Sequence, residues 1–178
     1  MEYLYNNWRL GALYSQDYSV STDFVKHIIK LAADENMKIT AIDSNYIITP
    51  DTLIGTPEDK LENITIIKPE SIAAIGTALD QIITSTTEPN KETIILLTSL
   101  YVQLPYEIWQ IYNYDPLYII YGLSNTVRRF NKYRSVIIID THAESAEEIP
   151  YRDLIIKLMD WTIIGINRNG RIIYEKIK

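Results

Sequence analysis

Short apolar runs alternate with stretches in which apolar residues recur every three or four positions. Trp8–Tyr14, Lys38–Asp43, Asn63–Ile67, Glu92–Thr98, Ser135–Asp140 and Trp161–Ile166 read as strands. Glu92–Thr98 and Ser135–Asp140 are almost continuously apolar, the pattern of a strand covered on both faces. Between the strands, Phe24, Ile28 and Leu31 form one helical stripe, with Ser21 or Thr22 expected to cap that helix. A second stripe, Ile72, Ile75, Leu79 and Ile82, follows a helix start at Pro69-Glu70-Ser71, and a third comprises Ile120, Leu123, Val127 and Phe130. A Pro-containing loop is expected after Asp43, a short helix before Trp161, and a hairpin at Asn169-Gly170 leading into Arg171–Tyr174. Strands separated by helices imply right-handed crossovers. The expected fold is one α/β domain over residues 1–178: a mostly parallel sheet flanked by helices, ending in an antiparallel hairpin.

Composition narrows the chemistry. The chain has 178 residues and no cysteine, which removes disulfides, thiolate metal sites and cysteine nucleophiles. Thirty-two Ile and 14 Tyr favour strands. The net charge of −6 disfavours a dedicated nucleic-acid binder, which needs a basic footprint. No apolar run approaches the ~18 residues that cross a bilayer, and no basic region precedes one near Met1, so a cytoplasmic protein is expected.

In parallel sheets ligands gather at the carboxyl ends of the strands. After the first strand, Ser15–Thr22 has the place and length of a phosphate-binding loop, G-x-x-x-x-G-K-[ST]. That loop needs glycines so that backbone N–H groups can close on phosphate, and a lysine for the outer phosphates. Ser15 and Val20 stand where the glycines would be and Ser21 where the lysine would be; only Thr22 keeps its type.

In the order and spacing of these elements the chain resembles the core ATPase domain of the RecA/RadA recombinase superfamily with its active site erased. In archaeal and eukaryotic recombinases the second strand and its loop read like Y-I-D-T-E-G-T-F-R-P-E-R-L. Ala41-Ile42-Asp43-Ser44-Asn45-Tyr46-Ile47-Ile48-Thr49-Pro50-Asp51-Thr52-Leu53 matches without a gap and keeps Ile42, Asp43, Pro50 and Leu53. The family's water-activating glutamate falls on Asn45, whose amide cannot take a proton as a base. Its Walker B strand, L-L-V-V-D-S-L, resembles Ile94–Leu100, with Thr98 in place of the magnesium-linked aspartate. The γ-phosphate sensor of V-V-T-N-Q falls on His142. The resemblance covers about Trp8 to Lys176 and implies a RecA-like core without the family's N-terminal helical DNA-binding domain.

By that resemblance the two DNA-reading loops correspond to Tyr101–Asp115, which has no Lys or Arg, and Thr141–Pro150, where three glutamates would repel phosphate. Tyr101, Tyr106, Trp109 and Tyr112 either form a protein interface or pack as an extra helix on their own core. Arg128, Arg129, Lys132 and Arg134 either contact DNA or an acidic partner, or oppose a helix dipole. Asp43, Asp140 and Asn45 either converge on a weakly held metal or cap the turns that follow their strands. Two histidines, His27 and His142, without an H-x-x-x-H spacing argue against a zinc site, and no cofactor is expected. Residues 1–7 could serve as an arm that adds to a neighbour's sheet, as recombinase linkers do.

The resulting expectation is a non-enzymatic accessory protein of homologous recombination and DNA repair. It resembles archaeal recombinase paralogues and the RecA-like subunits of the yeast Shu complex. Its partner would be a RecA/RadA-family recombinase or paralogue, in a hetero-oligomer where head-to-tail stacking lets a dead subunit cap or bridge a filament. DNA would be bound weakly or only within the complex, and no membrane would be involved. Two alternatives stand beside it: a nucleotide-binding ATPase with a noncanonical loop, and a structural subunit of an unrelated complex.

Overall fold

The computed structural model describes residues 10–70, 72–84, 93–98, 125, 135–141 and 152–177. The N-terminal arm, the Tyr101–Asp115 connection, the helix expected around Leu123, the Arg128–Arg134 cluster and His142 lie outside the described residues.

The chain runs β1 (Leu10–Ser15), α1 (Tyr18–Asp34), β2 (Lys38–Asp43), α2 (Pro50–Leu53), α3 (Glu58–Leu61), β3 (Ile64–Ile67), α4 (Ile72–Thr84), β4 (Thr93–Thr98), β5 (Ser135–Thr141), α5 (Arg152–Leu158), β6 (Trp161–Arg168) and β7 (Arg171–Lys176). The strands form one seven-stranded sheet in the order β3-β2-β4-β5-β1-β6-β7. Neighbours pair in parallel except β6 with β7. The fold is therefore α/β, a mostly parallel sheet with helices and a C-terminal antiparallel hairpin. One expectation changes. The stretch after β2 is not a plain loop but carries α2 and α3, of which α2 is started by Pro50 at its first turn and by the bond from the Thr49 N–H to Thr52 Oγ1 at 3.1 Å. Within the hairpin, β6 pairs in parallel with β1, so β7 alone reverses.

Strand order and handedness decide which helix covers which face. The steps from β1 to β2 and from β2 to β3 run toward one edge, while those from β3 to β4 and from β5 to β6 run back, so right-handed crossovers place their helices on opposite faces. The two apolar clusters follow this rule. Phe24, Val25, Ile28 and Ile29 of α1 pack with Leu13, Ile94, Leu96, Ile137 and Ile139. Ile75, Ala78, Leu79 and Ile82 of α4, with Leu158 of α5, pack with Ala12, Ile95, Leu97, Val136 and Ile138. Alternate residues of β4 thus serve opposite cores, and the strand's unbroken apolar run follows from burial on both sides.

At the β6–β7 turn Asn169 and Gly170 both have positive φ (54° and 80°), the backbone a two-residue hairpin of this twist requires. The Gly170 N–H donates to Asn167 Oδ1 at 3.0 Å. Gly11 on β1 is required for space instead: a Cβ there would lie 1.9 Å from ring atoms of Trp161 on β6. Among the described residues no helix is long and apolar enough to cross a membrane.

Candidate functional site

Because six strands run in parallel, Ser15, Asp43, Thr98 and Thr141 all finish at one edge of the sheet. The register aligns Asp43 with Thr98 and Ser15 with Thr141. This edge holds the described positions singled out in the sequence, in two groups.

The first group joins β1 to α1, and the structure corrects the expected loop. Only Gln16 and Asp17 separate the strand from the helix, which begins at Tyr18, not after Thr22. Its cap is Asp17, not Ser21 or Thr22. Asp17 Oδ1 accepts from the Ser19 N–H at 2.9 Å, the Val20 N–H at 3.1 Å and the Ser19 hydroxyl at 2.6 Å. The Ser19 hydroxyl bond, with the two backbone bonds, holds this carboxyl below its ordinary range against the opposing effect of partial burial. Ser21 lies one turn into α1, buried, its hydroxyl 2.5 Å from that of buried Ser15. Val20 is core, and Thr22 is half-buried in the helix. The four positions that would line a phosphate loop are thus strand end, helix and core. A helix N-terminus attracts anions through its free N–H groups and dipole. Here the chain supplies the anion itself.

The second group closes the ends of β2 and β4. Asp43 is fully buried, and its carboxylate accepts three bonds: the Ile47 N–H at 3.0 Å, the Ile48 N–H at 2.9 Å and the Thr98 hydroxyl at 3.0 Å. Of the two readings of Asp43, turn capping is the one the geometry gives. Thr98 Oγ1 also accepts from the Asn45 N–H at 3.3 Å, and the Ser44 hydroxyl donates to the Thr98 carbonyl. Asn45 and Thr98, the two positions that the resemblance equates with a base and a metal-linked acid, are therefore neighbours across adjacent strands. An amide cannot take a proton as a base, and a hydroxyl already donating to a carboxylate is a poorer hard-cation ligand than the acid it replaces. Asn45 is 8% exposed, and its Nδ2 has no hydrogen-bond partner among the described residues. Among the described residues no cluster of three His, Asp or Glu side chains could hold a metal ion. Asp140 lies in β5, its side chain outside the described part.

Three features escaped the sequence reading. Asp17 was legible as a cap, since Asp two positions before a Ser at a helix start is a common N-terminal pattern. Tyr46, at φ 55° and exposed, closes the turn after β2, and Lys68 Nζ lies 4.7 Å from its ring centroid. Tyr174 on β7 donates to Asp23 on α1 at 2.7 Å, a contact between residues 151 apart that no local pattern signals. No protein-family model matches this chain, and no curated protein matches it.

Proposed function

We propose that this chain is a RecA-like subunit without ATPase chemistry, which serves homologous recombination by binding a recombinase or a recombinase paralogue. The recombination role and the partner rest on the sequence resemblance. The non-catalytic part rests on one observation, the two-residue β1–α1 connection whose N-terminus is occupied by the Asp17 carboxylate. A phosphate brought there would displace or face a fixed negative charge and would find Ser21 at the position of the loop's lysine. The placement of Ser15, Asn45 and Thr98 on one edge, at the ends of β1, β2 and β4, supports the alignment from which the resemblance was drawn. With the nucleotide site closed, binding surfaces carry the function.

Two measurements test this reading. Thermal unfolding with and without millimolar Mg-ATP should give the same midpoint. A nucleotide at 100 times its dissociation constant would add about 2.7 kcal/mol, a rise of roughly 5–10 °C for a domain of this size, and would refute the non-catalytic reading. Affinity recovery of the tagged chain from its own cell should return a RecA-family ATPase in stoichiometric amount. Recovery of an unrelated complex without one would refute the recombination role.

A further inference from the structure

The sheet has two edges, and they are built differently. β7 carries Arg171, Glu175 and Lys176, charges of the kind that discourage strand addition. β3, Ile64-Thr65-Ile66-Ile67, carries no charge at all. Its outer hydrogen-bonding row can be read from one bond. The Ile39 N–H on β2 donates to the Asn63 carbonyl at 2.9 Å, in a parallel register that sets Ile39 beside Ile64. Backbone groups alternate in direction along a strand, so Thr65 turns both its N–H and its C=O onto β2, while Ile64 and Ile66 turn theirs outward. No described residue pairs with that outward row.

We propose that β3 is the contact strand of a two-fold homodimer in which two copies of this chain join their sheets antiparallel. The register follows from the outward groups. Pairing Ile64 of one copy with Ile66 of the other makes both closely hydrogen-bonded pairs of an antiparallel ladder, four bonds in all, with Thr65 facing its own copy across the axis. Glu62, in the helical turn that closes α3, flanks the start of the strand, and Lys68 follows its end. Acid lies at one end of the strand and base at the other, the arrangement that an antiparallel self-pairing turns into two attractions. A shift of one residue either way would set the outward groups of one strand against the inward groups of the other, and a shift of two keeps only one closely bonded pair within Ile64–Ile67, so the Ile64–Ile66 register uses the free row most fully. With four backbone bonds on a short edge the dimer is weak and reversible.

The proposal is independent of any recombinase partner and is tested on the purified chain alone. Sedimentation velocity between about 1 and 300 μM should show a reversible monomer–dimer equilibrium. Thr65 is exposed, so Thr65→Lys and Thr65→Asp should leave the thermal midpoint unchanged. Each puts like charges face to face on the axis and should weaken dimerisation about tenfold, whereas an equimolar mixture of the two should dimerise at least as tightly as the parent. Ile66→Pro, which deletes one outward N–H and spares both bonds of Thr65, should also abolish the dimer. A parent chain that stays monomeric throughout overturns the proposal. So does a dimer indifferent to Thr65→Lys, or a mixture that fails to recover.

Discussion

Replacing Asp43 by Asn is a near-isosteric change that should act as a large one. The carboxylate is fully buried and accepts from two backbone N–H groups and a hydroxyl. Asparagine keeps one oxygen and replaces the other with NH2, so whichever oxygen is exchanged, an NH2 faces a backbone N–H. The variant loses a bond to a charged acceptor, worth about 1.5–3 kcal/mol, and buries an unsatisfied donor at about 1–3 kcal/mol. We expect a net loss of about 3 kcal/mol, a midpoint lower by roughly 6–12 °C in a domain of this size. Asp43→Ala, which leaves all three donors unmet, should cost more, about 5 kcal/mol. Thr98→Val removes one donor to Asp43 and the acceptor of the Asn45 N–H, and should cost about 1–2 kcal/mol. Because the two side chains share a bond, the double variant Asp43→Asn/Thr98→Val should fall short of the sum by about 0.5 kcal/mol or more. The assay is urea unfolding followed by tryptophan fluorescence and far-UV circular dichroism, with the denaturant slope required to match the parent. Asp43→Asn within about 0.5 kcal/mol of the parent, at equal slope, would refute the claim that this carboxylate holds the turn after β2.

Asp17→Ala should cost about 1 kcal/mol, the usual loss for a helix cap, read from the same unfolding curves. The Asp17 carboxyl is lowered in the folded state, so its stabilisation is present above the ordinary value of 3.8 and disappears as pH falls through the folded value; parent and variant should converge in strong acid. Tyr174 behaves oppositely: burial, and then the Asp23 carboxylate, push its phenol far above the ordinary value of 10.0. Its contribution is complete below that value and declines as the solution becomes more alkaline, so Tyr174→Phe should lose about 1 kcal/mol at neutral pH and flatten the alkaline limb of stability against pH. Gly11→Ala drives a methyl into the Trp161 ring, where Cβ would stand 1.9 Å from carbon, and should cost several kcal/mol or prevent soluble expression; Gly11→Ala combined with Trp161→Ala should recover part of the loss.

The strands were legible because two-sided burial writes itself as unbroken apolar sequence: Thr93–Thr98 and the core of β5 emerged within a residue or two of their ends. The helical stripe of α4 was equally plain, since Ile75, Leu79 and Ile82 recur at its period and all are buried. The start of α1 was not. Asp17, Ser19, Ser21 and Thr22 are all acceptable caps, and the choice among them is tertiary. Ser21 is committed to Ser15 on β1, and Val20 is needed in the core, so the helix must begin before both. Strand adjacency was hidden for the same reason. Nothing local tells that β2 and β4 lie side by side with β3 outside them, and that adjacency is what makes Asn45 and Thr98 neighbours.

These details together decide what kind of surface the carboxyl edge is. A working strand-end site keeps some of its polar groups free in the resting state, so that ligand can complete them. Here the Asp17 and Asp43 carboxylates are each bonded to three donors of the chain's own, and Ser15, Ser21 and Thr98 are bonded to one another or to the turns beside them. Among the described residues the Asn45 amide nitrogen is the exception at this edge, a buried donor without a partner. The backbone of β3 presents the reverse situation: a regular row of outward donors and acceptors, no guarding charge within the strand, and opposite charges at its two ends. Among the described residues, unmet hydrogen-bonding capacity lies chiefly along the β3 edge, and strand-to-strand contact is the chemistry that such an edge performs.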